Sequence, residues 1–238
     1  MDPLAELFYP VTPYNYVLNN PIVLIDPDGK KAVAADEESQ TAIMSWLNDQ
    51  FGEGHGFSFN KKGKLRHRKK DMSDKKEFSK EQQELFDGLN EVINNKDRTA
   101  HMKVSDDENI NYSKNIELSN GMKLDFSFDK MEKISGSNNY QAGQAMSMPL
   151  DTENVFIIIN RSAAKTETSD AEGGAQTKAC ESAVFMHEML DHGLDFIRTG
   201  SLDDSHKSQK QQVKYQNAAL INKGSKPRTG KDHGVIKK

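Results

Sequence analysis

Residues 154–160, NVFIIIN, constrain the fold more than any other stretch of this chain. The run is continuously apolar between two asparagines, which suits a strand buried on both faces. Other strand candidates precede it at 100–104, 115–118 and 122–128, the last two hinged at Asn120-Gly121, a strong hairpin signal. Residues 57–65 (FSFNKKGKL) alternate before a turn at Lys62-Gly63 and predict a further hairpin.

Helical spacing appears on both sides of these strands. Residues 39–51 carry Ala42, Ile43, Trp46 and Leu47 on one side and meet a stop at Gly52. In the next helix Ser79 and Gln82 form a capping box, and Leu85, Phe86, Leu89, Val92 and Ile93 recur on one face. A polar, glycine-containing loop over 161–176 leads into a helix from about Thr177, and a last polar helix is expected over roughly 205–222. No internal repeat is present. The expected fold class is therefore α+β: a small, mainly antiparallel sheet with flanking helices.

The first thirty residues have a different character. MDPLAELFYPVTPYNYVLNNPIVLIDPDGK holds five of the seven prolines in the chain. Asn20-Pro21 opens a strand and Asp26-Pro27-Asp28-Gly29 closes it in a tight turn. Such a strand cannot be buried alone, so the segment reads as an extended stub cut from a larger β structure. Residues 31–38 (KAVAADEE) are small and acidic and read as a linker, leaving 39–238 as the main domain.

Composition removes several classes of function. Hydrophobic residues make up 35% of the chain and charged residues 29%, enough for a core with well-solvated loops. The net charge of -4 gives no overall basic field for nucleic acid. A single cysteine, Cys180, excludes an intramolecular disulfide, a cysteine-rich zinc site and the zinc deaminases. No apolar run approaches the ~18 residues of a membrane span. Met1-Asp2-Pro3 does not begin a signal peptide, so export is expected to depend on a larger parent or a dedicated secretion machine. Two basic stretches, 61–70 and 223–238, are expected to be a solvated hairpin edge and a mobile terminus. His55, His67 and His101 lack ligand spacing and are expected to be ordinary.

The chemistry concentrates in residues 180–198, CESAVFMHEMLDHGLDFIR. An apolar stripe of Cys180, Ala183, Val184, Leu190, Leu194 and Ile197 buries one side of this helix, and His187 lies within the stripe. Glu188 follows directly, and His192 comes after three more residues. Neutral imidazoles bind zinc well, and an adjacent carboxylate can take the proton from the attacking water. His187 and His192 are thus the candidate metal ligands and Glu188 the candidate catalytic base.

The spacing departs from HExxH, in which the histidines are four apart and share a helix face. At five residues a regular α-helix rotates His192 by about 140° away from His187. A π-bulge would restore the facing geometry. The helix could instead end at His192, with Gly193 as terminator, or Asp191, four residues on, could replace His192 as ligand. The persistence of the stripe through Leu194 and Ile197 favours a straight helix.

Two resemblances add to this reading. The pattern DPLAE, PYNYVLNNP and IDPDGK over residues 1–30 resembles the end of the Rhs/YD-repeat associated core, whose DPxG end marks the junction to a variable toxic domain. The resemblance implies a polymorphic toxin effector after about Lys31, an N-terminal Rhs core in a larger parent, a cognate immunity protein, and secretion or delivery into a target cell. HEMLDHG followed by YQNAALINKGSKPR resembles a group of metallopeptidase toxin domains with HELxGHA and ENxxR…GxPxR segments. That implies a zincin-like active-site helix near the C-terminus, a zinc ion and a protein substrate. Asp191 stands where the group has glycine, and Gln216 where it has the glutamate expected as third ligand. An amide is a poor zinc ligand beside a carboxylate. The third ligand is therefore left among Asp191, Asp203, Asp204, Gln216, His206 and His233. A nuclease toxin using the basic stretches, and a diverged, non-catalytic partner-binding domain, are the alternatives.

Overall fold

The structure is a computed structural model that describes residues 32–74, 76–105, 112–117, 123–128, 145–150, 152–161, 168–174, 176–178, 180–202 and 207–231. The expected Rhs-core stub at 1–30 lies outside the described residues, as do Lys31, the Asn120-Gly121 turn, Asp203, Asp204, His206 and His233.

The fold is α+β, but its main sheet is not antiparallel. Strands β1 (Ala32–Ala34), β4 (Thr99–Ser105), β8 (Asn154–Asn160) and β7 (Ala145–Pro149) form a four-stranded sheet in the order β1-β4-β8-β7. β1 and β8 both run parallel to β4, and only β7 runs antiparallel to β8. Among the described residues, the other antiparallel strand pairs are three two-stranded ribbons: β2 (His55–Phe59) with β3 (Leu65–Met72), β5 (Tyr112–Glu117) with β6 (Lys123–Phe128), and β9 (Thr168–Asp170) with β10 (Gln176–Lys178). The reason is the route of the chain. Between β1 and β4 it passes through two helices and a hairpin, and a connection of that length permits parallel neighbours.

The expected linker is part of this body. Ala32 and Ala34 of β1 are buried. Asp36 is the N-cap of helix α1 (Glu37–Phe51), accepting from Ser39 N at 2.9 Å and Ser39 Oγ at 2.6 Å. Its other oxygen takes Lys103 Nζ at 2.7 Å, and Val104 N donates to Ser39 Oγ at 3.0 Å, so the cap also ties α1 to β4. What reads as a small acidic spacer is a short buried strand followed by an acidic helix start.

β8 is buried at every position. Val155, Ile157 and Ile159 join the helices in one core, while Phe156 and Ile158 project to the other face and are buried there too. In register with them, Ala100, Met102 and Val104 of β4 face the same core. Four described helices supply its other wall: α1; α2 (Lys80–Asn94); α3, a continuous helix over 181–199; and α4 (Lys214–Asn222). α2 starts at the expected capping box, with both reciprocal hydrogen bonds made, and buries Leu85, Leu89, Val92 and Ile93. Each such side chain contributes roughly 1.5–3 kcal/mol by leaving water. Gly88 lets α2 approach closely: a Cβ there would lie 3.2 Å from Tyr215 Cε1 and 3.3 Å from the Leu190 methyls.

Three further expectations need correction. The helix placed from Thr177 begins at Glu181, because residues 176–178 pair as β10. The last helix is shorter than expected, beginning at Lys214. Residues 223–231 are not a loose tail: Arg228 is buried and bridges Ala171, with Thr229 N donating to Asp170 O at 2.8 Å. The basic run does lie on the β2–β3 hairpin, with Arg66, Lys69 and Lys70 exposed.

Candidate metal centre

Helix α3 is held at both ends and buried along its length. Cys180 is its extended N-cap, and polar partners from α1 fix the first turn: Trp46 Nε1 donates to Glu181 Oε2 at 2.9 Å and Gln50 Nε2 to Ser182 Oγ at 2.8 Å. Gly200 ends the helix at φ 77°, a left-handed conformation that suits glycine, and Arg98 Nη1 donates to the Ile197 carbonyl at 2.8 Å.

Between these ends the helix changes pitch. Residues His187–Gly193 form a π-helical segment, and Leu194 N bonds back five residues to Met189 O. One residue is thereby absorbed, as the five-residue spacing demands if both histidines are to share a face. The helix does not stop at His192. Gly193 sits at φ -62° and the chain continues helically to Thr199. The stripe of Leu190, Leu194 and Ile197 does not argue for a straight helix, because Phe185, Met186, Met189 and Phe196 are buried as well. A helix covered on nearly every side carries no stripe that records its pitch.

The π segment brings His187, Glu188 and His192 together. Their ligand atoms all lie within 4.8 Å of one another, and the two imidazole centroids are 4.7 Å apart. His187 and Glu188 are each 7% exposed. Two imidazoles and a carboxylate are a donor set suited to a divalent transition metal. Ligand atoms on one tetrahedral zinc are about 3.3 Å apart, so side-chain adjustments of about an ångström bring the two imidazoles onto one ion with the Glu188 carboxylate beside it.

Asp191 is not in that group. Its Oδ2 lies 3.0 Å from His187 Nδ1 and accepts from Gln216 N at 3.0 Å, while Oδ1 accepts from Tyr215 N at 2.8 Å. Burial pushes the Asp191 carboxyl up to about 7, opposed by the two backbone hydrogen bonds and by His192 and Lys207 nearby. The sequence points to Asp191 only as a substitute ligand; its partners, 24 and 25 residues further along, have no signature in the chain.

Gln216 is fully buried, and Arg228 Nη1 donates to its Oε1. That contact fixes the amide, because turning it over would set its NH2 against the guanidinium. Its Nε2 then has no hydrogen-bond partner among the described residues. Asn217 closes the same segment: Arg228 N donates to Asn217 Oδ1 at 2.7 Å, and Asn217 Nδ2 to Arg228 O at 3.0 Å. Of the remaining third-ligand candidates, Asp203, Asp204, His206 and His233 fall outside the described residues. His55 and His67 are not in the group of His187, Glu188 and His192 and pack at a tilt against Phe57, with ring centroids 5.4 and 5.2 Å away. Comparison with known proteins finds no matching family model, no matching curated protein and no matching solved structure.

Proposed function

We propose that the domain from about residue 32 is a zinc-dependent hydrolase of the metallopeptidase type, the effector of an Rhs/YD-repeat polymorphic toxin. The observation that carries this reading is the π segment, which turns His187, Glu188 and His192 to one point. π segments are rare and are found frequently at functional sites. The effector assignment rests on the resemblance of residues 1–30 and of the HEMLDHG…KPR segments. It carries with it a parent Rhs core, a cognate immunity protein, a protein substrate and delivery into a target cell. No helix among the described residues is long and apolar enough to cross a membrane.

In this reading His187 and His192 hold zinc, which when bound supplies Lewis acidity toward a peptide carbonyl. Glu188 accepts the proton of the attacking water and passes it to the leaving amine. At 7% exposure it is shielded from bulk solvent, beside the two histidines. Glu188→Gln keeps the shape and removes the base, so hydrolysis and toxicity should fall at least about a hundredfold with metal content nearly unchanged. Equal toxicity of Glu188→Gln and the parent protein rules the mechanism out.

A further inference from the structure

We infer that Asp191 is the positioning residue of the metal centre, a carboxylate that accepts the His187 Nδ1 proton and so aims the Nε2 lone pair at the metal. The inference rests on the metal-site reading above. Three nitrogens converge on this one side chain: Tyr215 N–H donates to Oδ1, Gln216 N–H donates to Oδ2, and His187 Nδ1 lies 3.0 Å from Oδ2. Asp191 is only 3% exposed, so water does not share the work. When ionised, the Asp191 carboxylate only accepts, and Nδ1 then carries the proton. The other nitrogen, Nε2, is then unprotonated and able to ligate. Metal-bound histidines almost always have such a partner, and losing it typically lowers metal affinity 10- to 100-fold.

The two backbone contacts give the carboxylate its own orientation. Tyr215 and Gln216 lie in the first turn of α4, whose N–H groups have no partner within the helix. No α4 side chain caps them. Asp191 does so from another helix, where its charge also meets the positive end of the α4 dipole. α4 thus locks the carboxylate, and the carboxylate locks His187. Within the π segment Asp191 meets α4 while His187 and His192 come together.

Asparagine and alanine separate positioning from docking. Asparagine keeps one oxygen. Placed at the Oδ2 position it serves both His187 and Gln216 and leaves its NH2 against Tyr215 N–H alone; the reverse orientation opposes two donors. Asp191→Asn should therefore lose stability yet keep His187 oriented, and Asp191→Ala should lose both.

The test is nitrogen-15 NMR of the metal-free protein at pH 8, with zinc affinity measured by chelator competition. The parent and Asp191→Asn should show a proton on His187 Nδ1. Asp191→Ala should lose it and bind zinc at least tenfold more weakly, with Asp191→Asn between the two. A parent with a bare Nδ1 and the proton on Nε2 means that Asp191 donates rather than accepts, and overturns the inference. So does a folded Asp191→Ala with unchanged tautomer and affinity. If the alanine variant does not fold, the parent and asparagine spectra decide. A parent that binds zinc through His187 but hydrolyses no peptide removes the hydrolase reading and leaves the Asp191 role standing.

Discussion

Acidification should destabilise the fold through His55, and the size of the effect follows from its surroundings. The side chain is 3% exposed at the start of β2. Phe57 N donates to its Nδ1 at 3.0 Å, and its Nε2 lies 3.1 Å from Asn48 Oδ1. The ring must be neutral to accept at Nδ1 and donate at Nε2. Burial, with Lys76 and His67 adding repulsion, lowers its pKa from 6.5 to about 4. Between those values the unfolded chain binds the proton and the folded one does not, so stability rises with pH across that window. The contribution is complete above about pH 6.5 and lost as pH falls toward 4, below which the loss levels off. At 1.36 kcal/mol per pH unit the difference reaches about 3 kcal/mol. That is a large part of the 5–15 kcal/mol typical of a domain. Urea unfolding followed by the fluorescence of Trp46, the one tryptophan, measures it against a non-titrating His55→Gln variant. The parent should exceed the variant most at pH 7.5, and the gap should shrink by about 3 kcal/mol by pH 4. A gap that stays constant across the range refutes the reasoning.

Two substitutions test the packing around the centre. Gln216→Glu replaces Nε2, which has no hydrogen-bond partner among the described residues, with an acceptor and sets a carboxylate against Arg228; we expect zinc affinity to rise at least about tenfold, or ~1.4 kcal/mol, in chelator competition. Unchanged affinity would mean that residue 216 does not face the metal. Gly193→Ala adds a Cβ 3.0 Å from Ile157 Cδ1 and 3.2 Å from the Glu188 carbonyl. The isoleucine can yield but the helix backbone cannot, so stability should fall by about 1–2 kcal/mol in urea unfolding despite the better helix propensity of alanine.

What the sequence made legible was local. The run at 154–160 and the capping box at Ser79 carry their own signals, and the structure places β8 and α2 there. β1 escaped notice because three residues, AVA, are too short to alternate, and Asp36-Glu37-Glu38 reads as acidic spacer unless the cap is known. Parallel pairing escaped because it is set by the crossover through α1 and α2, and no strand sequence records it. At the centre, residue types and spacing pointed to His187, Glu188 and His192, yet five-residue spacing fits several backbones. The π segment decides among them through contacts along the whole buried helix. Asp191 became intelligible only with α4 in place, since its backbone partners belong to a distant turn. The glutamine at 216 was visible, but its capture by Arg228 was not.

The most direct test of the metal centre is the zinc affinity of the purified protein against a competing chelator, with His187→Ala and His192→Ala measured alongside. If the π segment turns both imidazoles to one ion, the parent binds one zinc per chain and each variant loses at least tenfold in affinity. A parent that takes up no zinc, or a His192→Ala variant that binds as tightly as the parent, would contradict the account.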